Sequence, residues 1–288
     1  MLEKKEKMLT IRTLVEWAKA DQSMALSVLD ESVTGFTTDS REVAPGQVFV
    51  ALETEKDDGH RYVATAFAAG AIAAVVASQK VSDLKNVHGD RFIAVEDTLN
   101  SFQRMASCYR EELGIPLVGI TGSSGKTTVR TMVALALSAK FTVGQTYKNF
   151  NNHIGVPLSL LRFSGKEEIG VIEMGANHVG EIDVLSRIAR PDVAVITNIG
   201  YAHVGLFGSL TKTLQAKWEI THGLSKKGLL LLNGDDQRLV RQSRMSEWET
   251  VLFGLSARCN ARATNVQVTD DLHIRFTFDG AEYELFTP

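Results

Sequence analysis

Short apolar segments alternate with helix-length segments through the second half of the chain, and this alternation restricts the fold more than any other feature. The strand-like segments are residues 117–121, 141–144, 169–173, 193–197, 228–232 and 250–253. Strands separated in this way by helices form βαβ units, which bury a parallel sheet between helical layers. The pattern therefore predicts an α/β fold whose sheet is mostly parallel and flanked by helices.

A smaller α/β unit precedes this sheet. Helical spacing of apolar residues covers 9–19 and 61–69, and strand-like runs cover 48–52, 73–77 and 92–95. Asp97 is placed to cap a further helix, which Gly114 would end. We predict two domains, residues 8–95 and residues 96–288. The last segment, 261–288, alternates polar and apolar residues around Asp279-Gly280, which predicts an antiparallel hairpin.

The composition excludes several classes of protein. Lys and Arg number 31 against 34 Asp and Glu, so the net charge of −3 offers no general attraction to nucleic acid or to an anionic membrane. Two cysteines are too few for a disulfide framework, which suits a reducing compartment. The longest apolar run, residues 70–77, is too short to span a bilayer. We expect a cytoplasmic protein with no nucleic-acid partner and no membrane insertion.

A glycine-rich turn links the strand at 117–121 to a helix-forming segment. Its sequence is Thr121-Gly122-Ser123-Ser124-Gly125-Lys126-Thr127-Thr128. Backbone N–H groups in such a turn, together with a helix N-terminus, cradle phosphate oxygens. A lysine at position 126 would contact the terminal phosphates, and the Thr127 hydroxyl would face Mg²⁺. The segment predicts a shortened P-loop that binds a nucleotide such as ATP; an ordinary strand-to-helix turn is the alternative.

Further polar residues follow the ends of the predicted strands, where parallel sheets bind ligands. Glu173 ends one strand, and Asn198 and His203 follow the next. A carboxylate and a histidine are suitable metal ligands, although Glu173 is equally compatible with a helix cap and His203 with an exposed loop. A loop rich in amides could bind a polar ligand or simply form turns, and its candidate residues are Asn149, Asn151 and Asn152.

These segments, in this order, resemble the Mur ligase family, the ATP-dependent amide-forming enzymes of peptidoglycan precursor synthesis. The resemblance lies in Glu173-Met-Gly-Ala176, Asn198-Ile-Gly200, Ala202-His203 and Phe207-Gly-Ser209. In the first unit it lies in Thr38-Asp-Ser-Arg41 and Asp58-Gly-His60. Within the family, the second-unit segments are most similar to the ligases that act on UDP-N-acetylmuramoyl tripeptide and D-alanyl-D-alanine.

The resemblance implies a reaction and a set of site residues. The tripeptide carboxylate would react with ATP to give an acyl phosphate, which the amine of D-alanyl-D-alanine then attacks. The implied catalytic residues are Lys126, Glu173, His203 and Lys217, and the implied Mg²⁺ ligands are Thr127, Glu173, His203 and Lys217. Lys217 would act as a ligand once carbamylated by CO₂, whereas it would otherwise be a solvated lysine. The implied substrate-binding residues are Ser40, Arg41, Asp58 and His60, together with the three asparagines.

Two other interpretations stay open at this point. One is a sister amide ligase, either another Mur ligase or a folylpolyglutamate-type enzyme. The other is a module that binds nucleotide or UDP precursor without turnover. The family's C-terminal domain would begin just beyond the predicted hairpin, so we expect this chain to lack it.

Overall fold

The computed structural model describes residues 9–21, 28–84, 87, 89–201 and 207–286. In these ranges the α-helices are α1 (Ile11–Ala18), α2 (Val63–Ala68), α3 (Thr98–Leu113), α4 (Lys126–Ser138), α5 (Gly155–Leu161), α6 (Glu181–Ala189), α7 (Leu210–Trp218) and α8 (Gln237–Ser243). No helix in the described part of the chain is both long enough and apolar enough to cross a membrane.

Within the described ranges, the strands form three separate sheets. The first contains β1 (Gly35–Thr37), β2 (Gln47–Val50), β3 (Ala73–Ala77) and β4 (Phe92–Val95). The second contains β5 (Leu117–Thr121), β6 (Val143–Gln145), β7 (Ile169–Glu173), β8 (Val193–Ile196), β9 (Leu229–Asn233), β10 (Glu249–Gly254) and β11 (Ala261–Arg262). The third contains β12 (Thr264–Val268), β13 (Ile274–Phe278) and β14 (Ala281–Leu285).

The chain divides into two compact units, Met1–Gly114 with Thr146–Glu167, and Ile115–Gln145 with Glu168–Pro288. The sheet of the first unit is parallel throughout, in the order β1-β2-β3-β4. Every residue of β3 and β4 is buried, which agrees with their unbroken apolar sequences. Asp97 caps α3 by accepting from Asn100 N–H at 2.8 Å, and Gly114 ends this helix with φ +56°.

The contacts of the first unit extend beyond the predicted range 8–95. Helix α3 and residues 146–167 group with it, because α5 is buried against α3. Gln103 donates to the His153 carbonyl at 3.0 Å, and the Tyr109 hydroxyl donates to the Phe163 carbonyl. The compact units therefore differ in extent from the domains 8–95 and 96–288, and those domain limits stay a prediction.

The second unit is built on the parallel sheet that the apolar alternation predicts. Its order is β11-β10-β9-β8-β5-β7-β6, and all neighbouring strands are parallel. Every residue of β5 is buried between β7 and β8. The α/β fold with a parallel sheet flanked by helices is confirmed. The strand order also brings the carboxyl ends of β7 and β8 to either side of the glycine-rich turn.

The C-terminal segment is antiparallel, as predicted. Strands β13 and β14 pair through a tight turn at Asp279 and Gly280, whose φ angles of +48° and +76° match the turn type that joins two-residue hairpins. Strand β12 pairs with the other edge of β13, so the predicted hairpin is part of a three-stranded sheet.

Candidate active site

The turn between β5 and α4 has the geometry of a phosphate cradle. Gly122 and Gly125 have φ angles of +147° and +74°, values that L side chains rarely adopt. A Cβ atom at position 122 would lie 1.9 Å from Thr197 Oγ1, so the backbone passes Thr197 too closely for any side chain. Beyond Gly125, the first N–H groups of α4 have no acceptors within the helix and are available to an anion.

Asn198 supports this turn from the end of β8. Its side-chain Oδ1 accepts from the Ser124 backbone N–H at 3.1 Å and from the Ser124 hydroxyl at 3.2 Å, while Nδ2 donates to the Ser124 carbonyl at 3.1 Å. The Asn198 carbonyl also accepts from Ser123 N–H at 3.0 Å. The geometry shows that Asn198 holds the shape of the glycine-rich turn.

Other supports of the turn were missed by the sequence reasoning. Thr197 donates its hydroxyl to the Ser124 carbonyl at 2.7 Å, and Gly200 N–H donates to the Ser123 hydroxyl at 2.9 Å. Thr121, which the sequence did place in the turn, donates to the Met174 carbonyl at 2.8 Å. A small hydroxyl residue directly before Asn198 is a weak signal by itself. It becomes informative only once the order of β5 and β8 is known.

Lys126 and Thr127 begin α4 with their side chains directed to different partners. The ammonium of Lys126 donates to the Gly122 carbonyl at 3.0 Å, and burial lowers the pKa of this lysine. The Thr127 hydroxyl donates to Glu173 Oε2 at 2.9 Å. Glu173 ends β7 and is only 1% exposed, so its carboxylate is not a solvated surface group. Residues 46 positions apart thus meet at the carboxyl edge of the sheet.

Arg130 is a charged neighbour of Glu173 that the sequence reasoning did not identify. It is buried on α4, with Nε 3.7 Å from Glu173 Oε2. Its Nη1 donates to Gln145 Oε1 at 2.8 Å, at the end of β6. Position 130 lies four residues after Lys126, and residues at this spacing share one face of a helix. That spacing was the available signal.

Lys217 is buried rather than solvated. It is 1% exposed on α7, its Nζ lies 3.5 Å from the Ala176 carbonyl, and the same nitrogen lies 5.1 Å from the centroid of the Phe207 ring. Burial, with Lys126 nearby as a second cause, lowers the pKa of Lys217 to about 8. The neutral form of the amine is therefore easier to populate at Lys217 than at an exposed lysine.

The residues described at this edge fit a hard divalent cation in part. Thr127 and Glu173 offer oxygen atoms, which Mg²⁺ prefers, whereas the Lys217 amine would fit only after conversion to an oxygen ligand. His203 lies outside the described residues. Among the residues that the structure does describe, no three His, Cys, Asp or Glu side chains form a cluster able to hold a metal.

In the first unit, the loop after β1 contains Ser40 and Arg41. Ser40 is buried, whereas the Arg41 side chain is 85% exposed. Arg41 pairs with both carboxylate oxygens of Asp39, at 2.9 and 2.6 Å, and this pairing is the main cause that lowers the pKa of Asp39 to about 2. The guanidinium is thus held at the carboxyl edge of the first sheet and remains open to solvent.

Asp58 and His60 form a local scaffold. His60 Nδ1 lies 2.6 Å from Asp58 Oδ1, and His60 Nε2 accepts from the Ala77 N–H at 2.9 Å. Lys80 also donates to Asp58 at 3.0 Å. His60 is buried, and both of its nitrogens bond within the protein. A contact of either residue with substrate stays a prediction.

The predicted asparagines lie on the loop before α5 and belong to the first unit. Asn149 is exposed, Asn151 is half-buried, and Asn152 accepts from Gly155 N–H at 2.9 Å at the start of α5. Lys148, just before them, pairs with Glu42 at 2.8 Å. The structure thus links this loop to the one that contains Ser40 and Arg41.

Comparison with known proteins identifies the family. Residues 120–288 match the Mur ligase middle domain, and residues 32–106 match the Mur ligase family catalytic domain. The chain belongs to the Mur ligase family. Of the curated relatives, the UDP-N-acetylmuramoyl-tripeptide–D-alanyl-D-alanine ligase of Bacillus subtilis is 38% identical over 97% of this chain and 59% of its own length. That of Escherichia coli is 36% identical over 90% of this chain and 55% of its own length.

Solved structures agree with this Mur ligase assignment. MurF from Acinetobacter baumannii superimposes with a TM-score of 0.82 at 27% identity, covering 96% of this chain and 60% of that one. MurF ligase from Thermotoga maritima in complex with ADP has a TM-score of 0.75 at 31% identity, covering 87% of this chain and 57% of that one. The chain therefore spans between half and two thirds of the length of these relatives.

Proposed function

We propose that this chain provides the nucleotide-binding and UDP-precursor-binding parts of an ATP-dependent ligase, which joins D-alanyl-D-alanine to a UDP-N-acetylmuramoyl tripeptide in peptidoglycan precursor synthesis. The observation that supports it most directly is the bond between Thr127 and Glu173 at the glycine-rich turn. That bond places a hydroxyl and a carboxylate oxygen, the kind of ligand that Mg²⁺ prefers, next to the glycine-rich turn. The substrates are those of the similar ligases from Bacillus subtilis and Escherichia coli.

The residues of the turn would bind and orient the nucleotide. The N–H groups at the start of α4 would hold phosphate oxygens, and Lys126 would exchange its bond to the Gly122 carbonyl for one to a terminal phosphate. Ser123 and Ser124 hold the turn in shape through Asn198. When bound, ATP would supply the phosphoryl group that converts the tripeptide carboxylate into an acyl phosphate. Positioning and charge neutralisation account for most of the acceleration in such transfers.

Thr127, Glu173, His203 and Lys217 would hold Mg²⁺. Lys217 would do so as a carbamate, and its burial supports this proposal because only the neutral amine reacts with CO₂. A carbamate provides the oxygen atoms that the unmodified amine lacks.

Residues of the first unit would bind the UDP precursor. The exposed Arg41 guanidinium suits a diphosphate, and Ser40 lies beside it in the chain. Asn149 and Asn151 offer amide donors and acceptors, whereas Asn152, Asp58 and His60 would act by holding their loops. We place the reaction in the cytoplasm, where both substrates would be small soluble molecules.

The test is a phosphate-release assay on the purified chain with MgATP, UDP-N-acetylmuramoyl tripeptide and D-alanyl-D-alanine. We expect release that needs all three, and none from Lys126→Ala, with circular dichroism unchanged. Lys140→Ala, an exposed lysine just beyond α4, is the matched control and should match the wild-type chain.

Three outcomes separate the alternatives. Release driven by another amino acid or by a folate would favour a sister ligase. Binding of MgATP and tripeptide without any release would favour a binding module. Unchanged MgATP affinity in a folded Lys126→Ala chain would contradict the phosphate-binding role of the turn.

A further inference from the structure

Arg130 lies beside Glu173 but has no role in the proposed reaction as described so far. It lies on α4, one turn after Lys126, and 8% of the residue is exposed. Its guanidinium reaches the ends of two strands, since Nη1 donates to Gln145 on β6 and Nε lies 3.7 Å from Glu173 on β7. A third contact joins Nη2 to the Thr131 hydroxyl at 3.4 Å.

The same carboxylate oxygen of Glu173 has two neighbours. Oε2 accepts from the Thr127 hydroxyl at 2.9 Å and faces Arg130 Nε at 3.7 Å. Both neighbours stand on α4, so one helix fixes the orientation of a carboxylate that ends a strand of the sheet.

We propose that Arg130 is a positioning residue for the metal site, which holds the Glu173 carboxylate in the orientation that receives Mg²⁺. This inference rests on the proposed function and adds a residue to it. Arg130 would not touch the metal or the substrate. It would act through Glu173, and the bond to Gln145 would keep the guanidinium itself in place. Residues that orient metal ligands in this way commonly affect metal affinity by 10–100-fold.

A role limited to balancing charge predicts the opposite effect. A positive charge beside a cation site repels the cation, so its removal would strengthen metal binding if charge were all that Arg130 supplied. Loss of positioning would instead weaken metal binding. The direction of the change in metal affinity therefore separates the two roles.

The experiment measures Mn²⁺ binding, as a probe for Mg²⁺, by electron paramagnetic resonance in the presence of the non-hydrolysable analogue β,γ-imido-ATP. We expect Arg130→Met to weaken Mn²⁺ binding by about tenfold and Arg130→Lys by less. Arg275→Met, which removes an exposed arginine paired with Glu284 at 3.1 Å, is the matched control and should not change it. Unchanged or tighter Mn²⁺ binding by Arg130→Met would overturn the proposal.

A second variant covers the case in which Arg130→Met does not fold. Gln145→Leu removes one anchor of the guanidinium and leaves the charge in place, and we expect it to weaken Mn²⁺ binding by a smaller factor; no change would overturn the proposal. The wild-type chain separates this inference from the proposed function. If wild type does not bind Mn²⁺ with the analogue, the proposed function fails, whereas wild-type binding with unaltered variants refutes only the role of Arg130.

Discussion

The side chain of Asn198 bonds to both the backbone and the hydroxyl group of Ser124. The amide oxygen accepts from the Ser124 N–H and hydroxyl at 3.1 and 3.2 Å, and the amide nitrogen donates to the Ser124 carbonyl at 3.1 Å. The two residues are 74 positions apart, on loops that follow β5 and β8. This relationship makes the shape of the glycine-rich turn depend on a neighbouring strand.

Asn198→Ala should therefore weaken nucleotide binding through the shape of the turn, without the loss of a contact to the nucleotide itself. The loss of about one net hydrogen bond costs about 1.4 kcal/mol, which corresponds to about a tenfold higher Kd for ADP. Isothermal titration with ADP measures it. Asn260→Ala is the control, because Asn260 accepts from Leu252 N–H at the sheet edge and should leave the affinity for ADP unchanged. Equal affinity in both variants would contradict the support role.

Lys217→Ala should abolish phosphate release while Lys212→Ala should not. Both lysines lie on α7, but Lys212 is exposed and Lys217 is buried. Carbon-13 NMR of the chain with labelled CO₂ and MgATP should show a carbamate resonance that is absent from Lys217→Ala. Acetate should restore part of the activity by supplying a carboxylate to the metal position. A fully active Lys217→Ala chain would refute the carbamate proposal.

Substitution of Arg41 should affect binding of the UDP precursor, whereas substitution of His60 should affect stability. Arg41→Ala should weaken binding of the UDP precursor by about tenfold, because the charge-assisted bond to the diphosphate would be lost, and should barely change the unfolding free energy. His60→Ala should lower the unfolding free energy by about 2 kcal/mol, because the Ala77 N–H loses its acceptor. Calorimetric titration and denaturant unfolding of each variant give both quantities. Loss of precursor affinity only in His60→Ala would reverse the assignment.

Tyr109 should make stability depend on alkaline pH. Burial raises the pKa of its phenol to about 12 in the folded chain, against about 10 for an unfolded tyrosine. The contribution of the neutral phenol to stability is therefore fully present below about pH 10 and is lost as the pH rises through 12. Denaturant unfolding between these pH values should show a decline that is shallower in Tyr109→Phe. Identical pH profiles for both chains would disprove it.

The sequence predicts the elements well because their signals are local. The apolar runs at 117–121 and 169–173 became β5 and β7 with the same limits, and Asp97 and Gly114 bound α3 as expected. Short strands were harder, since β1 has only three residues and no alternation to read. The strand order was not encoded locally at all, and it decides which loop ends become neighbours.

The residues of the candidate site also differ in how far the local sequence reveals them. The turn 121–128 and Glu173 could be identified because each belongs to a motif read along the chain. Thr197 and Arg130 carried only weak local signals, because their roles come from contacts across 73 and 43 positions. The burial of Lys217 was likewise invisible to composition, since a lysine on a helix is normally solvated.

The position of β5 between β7 and β8 affects when the glycine-rich turn of a newly synthesised chain acquires its supports. When the glycine-rich turn has left the ribosome, its supports at Glu173 and Asn198 are still to be made, 46 and 74 residues later. Until β7 and β8 have docked on either side of β5, the turn has neither its carboxylate nor its amide clamp. Formation of the fully supported turn is therefore a late event in synthesis, and a ribosome stalled before Glu173 would carry the complete turn without either support.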